Sequence, residues 1–428
     1  MARTLREKVI DAFKEYYKNK PKIEEETIKY AGFCETAQEW INLLNCVLDG
    51  WITHSFYSEL LEKKLRSFYG VKHAILVNSG SSANLLAVAC LTNFQLLERR
   101  LKPGDEVIIP ACCFPTTLAP IVQHQLIPVF LDSQIGTYNI QPRDIEKALS
   151  KHTKAIFITH TLGNPVKMDE VMEIAQKHNL WVIEDNCDSF GSKYNHRLTG
   201  TFGDLATLSF YPAHHMTTGE GGAILTNNDC LAKKVKSLRD WGRDCHCKPG
   251  QDNACGHRFE KQMGDLPYGY DHKYIFSNIG YNLKITDLQS SIGSAQIGKI
   301  KSFIRKRRAN FSRLYQALKP FEGRVILPKW EEYATPSWFG FPLTLQNNIE
   351  RTKLIHYLEE HHIQTRLLFA GNIIRQPAFK YIAHRTIDNL ENSDRIMRDT
   401  LFLGVYPGLT TKKMNYIIKK LKEYFAKD

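Results

Sequence analysis

The 428-residue sequence has no run of about 18 apolar residues, so it offers no segment able to cross a bilayer as a helix. Its opening residues, Met1 to Lys8, lack the apolar stretch of a secretory signal, and a cytoplasmic location is the expectation. There is no internal repeat and no low-complexity tract, which excludes solenoids and arrays. There is also no block of like charges and no nucleic-acid-binding motif. The net charge of +12 is spread along the chain. It suits a nucleotide-diphosphate substrate or an acidic protein partner, or equally a general lysine excess on a solvated surface. The ten cysteines do not announce disulfides in a chain with no export signal. The most consequential absence is local: no lysine occurs between Lys193 and Lys233.

What is present is ordinary for a globular protein, with 43% hydrophobic and 24% charged residues. The length suits two domains rather than one core. Residues 1–55 read as an N-terminal helical arm, 56–318 as a large domain and 319–428 as a smaller α+β domain. Apolar spacing of three and four predicts helices over 6–18, 36–48, 56–69, 142–149 and 168–178. Short apolar runs at 74–77, 105–110, 128–131, 155–159, 181–184, 204–210 and 223–226 predict strands between them. Alternation of the two predicts a doubly wound, mostly parallel α/β sheet, with ligands at the carboxyl ends of its strands. A basic helix is expected from about 301 to 319, a strand over 338–344, and a closing helix over 412–426.

Three stretches at such strand ends carry chemistry. Asn78-Ser79-Gly80-Ser81-Ser82-Ala83-Asn84 joins a strand to a helix. Free backbone N–H groups and a helix dipole then meet an anion, which makes Gly80, Ser81 and Ser82 phosphate-binding candidates. Glu184-Asp185-Asn186-Cys187 places a carboxylate at a strand end. Ser209 to Gly222 is a strand, a turn bearing polar side chains, and close glycines.

Together these stretches resemble the DegT/DnrJ/EryC1/StrS family of sugar aminotransferases, enzymes of the type I fold of pyridoxal-phosphate-dependent transferases. The resemblance covers nearly the whole chain. It implies that Gly80, Ser81, Ser82 and Ser209 hold the cofactor phosphate, that Phe114 stacks on its ring, and that Asp185 pairs with the ring nitrogen. It also implies that Asn282, in Gly280-Tyr281-Asn282-Leu283, reaches the phosphate of a partner subunit, hence a homodimer. The sequence departs from the family at one position: five residues after Ser209 stands His214 instead of lysine. Imidazole cannot bind the aldehyde cofactor covalently, but it transfers protons near neutral pH. The expectation is therefore non-covalent pyridoxamine 5'-phosphate (PMP), with His214 as base. Asp188 stands where relatives often have Gln or His, and its role is open.

A second constellation is Cys245-His246-Cys247 followed by Cys255 on a Gly- and Pro-containing loop. Three soft thiolates on one loop suit zinc or an iron–sulfur cluster and call for a fourth ligand. The family's reductive branch, the CDP-4-keto-6-deoxyhexose 3-dehydrases, has a 2Fe–2S motif that this chain resembles. In that motif 57 residues separate the first Cys from the second, one the second from the third, and seven the third from the fourth. Cys187, Cys245, Cys247 and Cys255 match it. Structural zinc, with His246 and His257 as further ligands, or four free thiols, are the alternatives.

The resemblance implies a dehydrase acting on a nucleotide-linked 4-keto-6-deoxyhexose, with CDP or TDP as nucleotide. His214 would take the C4' proton of the cofactor–sugar adduct and the C3 hydroxyl would leave. Two single electrons would arrive through the cluster from an NADH-dependent flavin and iron–sulfur reductase, in 3,6-dideoxy sugar and lipopolysaccharide O-antigen synthesis. Arg366 and Arg375 are candidates for the substrate diphosphate by forked hydrogen bonds. A cluster-free PMP dehydratase and a catalytically silent nucleotide-sugar-binding protein with structural zinc are the competing readings. No membrane and no nucleic acid are expected as partners.

Overall fold

A computed structural model describes residues 4–21, 26–245, 247, 250–346 and 349–426. His246 lies outside them. The centre is a sheet built from seven strands: β1 (His73–Val77), β2 (Glu106–Pro110), β3 (Ile127–Leu131), β4 (Thr153–Thr159), β5 (Trp181–Asp185), β6 (Leu205–Ser209) and β7 (Gly222–Thr226). Their order is β1-β7-β6-β5-β4-β2-β3, and Arg385–Thr386 extends the sheet beyond β3. All pairings are parallel except those of β7, which runs antiparallel to both β1 and β6.

Helices cover both faces, so the strands are apolar on both sides. Val107 and Ile109 pack into one apolar layer with the helices 80–91, 115–123 and 229–239, while Ile108 between them packs into the opposite layer. A second, antiparallel sheet carries β8 (Gly340–Leu345) and β9 (Thr400–Gly404), flanked by 325–326 and 365–366. Its core is joined by the closing helix Thr411–Ala426.

The expected helix beginning near 301 starts much earlier, at Asp287, and ends at Leu318. Its first half is rich in Ser and Gly, which erases the apolar periodicity. Small residues serve close packing here. A Cβ on Gly293 would meet Leu61 and Thr218 at 2.7 and 2.6 Å. The start is marked by a capping box, Thr286 and Gln289. Asp287 accepts the backbone N–H groups of Ser55, Tyr57 and Ser58 at the head of helix 56–69. No described helix is long and apolar enough to cross a membrane.

Candidate active site

A cavity of about 480 Å³ opens at the carboxyl ends of β1, β2, β5 and β6. Each strand delivers one piece. After β1, the helix Gly80–Leu91 begins with Ser79 as cap: its Oγ accepts the Ser82 N–H at 3.0 Å and donates to Ser82 Oγ at 2.9 Å. The uncapped N–H groups and the helix dipole face the cavity beside Ser209 at the end of β6. A Cβ on Gly80 would stand 2.5 Å from Ser209 Cβ, so only glycine lets the two strand ends close into one cradle. Ser79, Gly80, Ser81 and Ser209 line it. Ser82 is engaged in the cap instead and is not among the lining residues.

Asp185 ends β5. Period-two alternation separates it from its neighbour Glu184, and the two carboxylates have different work. Glu184 is fully buried and accepts the N–H groups of Gly200, Phe202 and Gly203, each at 2.7 Å, so it holds a loop. Asp185 faces the cavity. Its Oδ2 accepts from Asn84 Nδ2 at 3.0 Å and Thr117 Oγ1 at 2.8 Å, and its Oδ1 from the Cys187 N–H at 3.2 Å. Neither Asn84 nor Thr117 is evident from motif reading, although a polar residue inside the apolar helix 80–91 is the available signal. Phe114, after β2, is half exposed into the cavity and meets Phe369 edge-on at 6.4 Å between centroids.

His214 lines the same cavity. Its Nδ1 lies 3.5 Å from Asp188 Oδ1, too long for a full hydrogen bond, and has no other partner. Loss of water, and then the positive charge of Arg307, hold the imidazole at about 3, so it is a neutral ring. Burial, and then Asp185, push the Asp188 carboxyl up to about 8. Arg307, unforeseen from the sequence, is a fully buried guanidinium on helix 287–318. It donates to the carbonyls of Ala213 (3.4 Å), His214 (3.0 Å), Trp338 (3.3 Å) and Phe339 (3.0 Å). The His214 turn is thereby tied to the segment that leads into β8.

His215 is buried too, its Nε2–H donating to Ser337 O at 2.8 Å, and burial again drives it well below the usual imidazole range. Unfolded, both histidines take up protons near pH 6.5. Their folded values are lowered, so their contribution is present above that pH and is lost as pH falls below it. Melting temperature is expected to decline from pH 6.5 to 4.5. His215→Gln should flatten the decline, reducing the pH dependence of the unfolding free energy by up to about 1.4 kcal/mol per pH unit. Equal slopes for the two proteins in pH-dependent calorimetry would rule out a buried neutral His215.

The two arginines part company. Arg366 lines the cavity with its guanidinium stacked 4.1 Å over the Tyr30 ring. Arg375 is outside it, in a forked pair with Asp394 at 2.9 and 2.8 Å that uses the donors a diphosphate would need. Asn282 is exposed, accepts from Lys284 Nζ at 2.8 Å and does not line the cavity of its own chain.

The four cysteines are not gathered in one chain. Cys187 lines the large cavity, its Sγ 3.9 Å from Thr207 Oγ1. Cys245, Cys247 and Cys255 share a separate small pocket with His272, whose Nδ1 is 3.7 Å from Cys255 Sγ. His257 pairs with Glu260 at the surface. Among the described residues, no group of three or more His, Cys, Asp or Glu is drawn together tightly enough to hold a metal ion. The quartet in one chain therefore does not fit a four-thiolate cluster.

The DegT/DnrJ/EryC1/StrS aminotransferase family model matches residues 34–422. The chain belongs to that family. It is 52% identical over 392 residues to the lipopolysaccharide biosynthesis protein RfbH of Salmonella typhimurium, covering 91% of this chain and 90% of the relative. It is 48% identical to the dTDP-4-dehydro-2,6-dideoxy-D-glucose 3-dehydratase of Saccharopolyspora spinosa, covering 94% and 87%. Among solved structures it is similar to the Escherichia coli GDP-4-keto-6-deoxy-D-mannose-3-dehydratase with bound hydrated PLP. That match has a TM-score of 0.83 at 28% identity and covers 92% of this chain and all of the other. The fold is thus the α/β fold of the PLP-dependent aminotransferases.

Proposed function

We propose that this member of the family is a PMP-dependent 3-dehydratase of a nucleotide-linked 4-keto-6-deoxyhexose. The observation that carries the reading is His214 in the cofactor cavity at the position where the family's transaminating members have lysine. The 3-dehydratases among its relatives support the substrate class.

The residues present fit the cofactor. The Gly80–Ser209 cradle, which a single Cβ would fill, suits a phosphate, with the Ser81 and Ser209 hydroxyls as neutral donors beside a helix N-terminus. Asp185, locked by Asn84 and Thr117, suits a protonated ring nitrogen. Phe114 offers a ring face. Bound PMP would supply an amine to condense with the C4 ketone and a ring that accepts electrons. His214 then takes the proton at C4', its neutral state leaving a nitrogen free to accept it. Asp188 stands 3.5 Å from Nδ1, and the imidazole, once protonated, can return its proton to the departing C3 hydroxyl. Arg366, which lines the cavity, is the candidate for the diphosphate of the sugar nucleotide.

The finer reading is the reductive one. The Cys187, Cys245, Cys247 and Cys255 spacing supports a 2Fe–2S cluster, which exchanges one electron at a time, and an NADH-dependent flavin and iron–sulfur reductase as donor. CDP is the nucleotide suggested by the resemblance to the reductive 3-dehydrases, with TDP as the alternative; the location is the cytoplasm and the assembly a homodimer. The second reading is the cluster-free dehydratase, favoured by the separation of Cys187 from the other three thiols within one chain. Electron paramagnetic resonance of anaerobically purified, dithionite-reduced protein decides between them. A 2Fe–2S signal with two irons per chain is the expected result. Folded, iron-free protein with a silent spectrum would leave the cluster-free reaction.

A further inference from the structure

A second hollow, of about 330 Å³, lies between helix 229–239 and the segments 241–245 and 275–283, and it shares no lining residue with the cofactor cavity. The two segments are paired: Trp241 N–H donates to Tyr281 O at 2.6 Å and Asp244 N–H to Ile275 O at 2.9 Å. Their root is fastened to the helix. Gly242 N–H donates to Ser237 O at 2.7 Å, and Asn278 Nδ2 donates to Ser237 Oγ at 2.8 Å. A Cβ on Gly242, at φ +80°, would stand 1.8 Å from Asn278 O, so only glycine allows this approach. The walls of the hollow are thus held by the fold itself.

Its charges are unbalanced. Lys233 and Lys234 enter from the helix and Arg243 from the facing segment. Lys234 is only 6% exposed, and among the described residues its Nζ bonds to a neutral group, Gln95 Oε1 at 2.7 Å. Arg243 lies over the Trp241 ring at 4.9 Å, and its Nε is shielded from water without a partner among the described residues. Two carboxylates also line the hollow, but both are engaged elsewhere. Asp229 pairs with His73 and Lys72, and Asp244 with His272 and Lys261. A buried ammonium without a counter-ion costs stability, and that cost is offset when a ligand brings the negative charge. Lysine as a point charge, arginine as a fork and hydroxyls as neutral donors are the groups that hold phosphate. The Ser237 and Ser277 hydroxyls accept from Asn278 Nδ2 and keep their own protons to donate. We propose that this hollow binds a small phosphate-bearing anion, with Lys234 and Arg243 as its charged contacts. The anion ties helix 229–239 to the segment whose Leu283 O accepts the Asn78 N–H beside the cofactor cradle.

The test uses the full-length protein with excess PMP, so that the cofactor cradle is filled. Melting temperature is followed as inorganic phosphate or pyrophosphate replaces chloride at constant ionic strength. A rise of about 3 °C is expected at a hundredfold excess over the dissociation constant. Lys234→Met should abolish the rise and should melt no lower than wild type in chloride, because the unpaired buried charge is gone. Arg243→Gln, on the opposite wall, should weaken phosphate binding about tenfold or more. Tighter binding of pyrophosphate would assign the site to a diphosphate ester, and tighter binding of inorganic phosphate to the free ion; either supports the proposal. No rise beyond that in chloride, with either salt, would overturn it. So would a full response retained in either variant, which would place the anion elsewhere. Lys234→Met melting well below wild type in chloride would also overturn it, by making Lys234 a brace for Gln95.

Discussion

Replacing His214 by asparagine is expected to lower turnover roughly 10²–10⁴-fold, the range that a positioned general base contributes. Asparagine keeps much of the size and a polar end but accepts no proton at neutral pH. PMP should still bind, because Gly80, Phe114 and Asp185 follow or end other strands and Ser209, at the end of β6, precedes the substituted turn. The two effects are separable. Solvent deuterium exchange at C4' reports the base, and retention of PMP after gel filtration reports the site. Exchange that persists at the wild-type rate in His214→Asn would remove the role assigned to His214 and move attention to the other groups at the cavity wall.

The second large effect is expected at Arg307. Its guanidinium is buried without a carboxylate partner and is held by four carbonyls, two on the His214 turn and two before β8. Burial lowers it to about 10, with Cys34 and Asp188 opposing, so it stays charged at neutral pH. Methionine would fill part of the volume and leave those carbonyls without donors in a dry site. The loss of stability is expected to be on the order of 3 kcal/mol, since each unsatisfied buried group costs about 1–3. Lysine would keep the charge but not the fork that spans both segments, and should recover only part of it. Because the turn carries His214, turnover should fall together with melting temperature. Calorimetry and a dehydration assay on Arg307→Met and Arg307→Lys check this. A melting temperature within a degree of wild type for both would show that the carbonyls find other donors.

The strands were legible because they are short apolar runs, several of them ending at a polar motif. Asp185 and Ser209 could be placed at carboxyl ends before any coordinates, and both line the cavity. The Ser- and Gly-rich first half of helix 287–318 was not legible, since its burial comes from close approach to Leu61 and Met216 and not from apolar side chains. Arg375 illustrates the limit of local reading. An arginine near a family-like segment looks available for a diphosphate, yet Asp394, nineteen residues on, engages its Nε and Nη2 in a fork, and the residue lies outside the cavity.

By itself the sequence determined the family, the lysine-to-histidine exchange at 214 and the cysteine spacing, because these depend only on which residue stands at which position. Tertiary structure alone decided that Asn84 and Thr117 lock Asp185, that Arg307 braces the turn of His214, and that Cys187 stands apart from the other three thiols. Those facts are contacts between segments from 31 to 101 residues apart, or their absence, and they exist only once the sheet has brought its strand ends together.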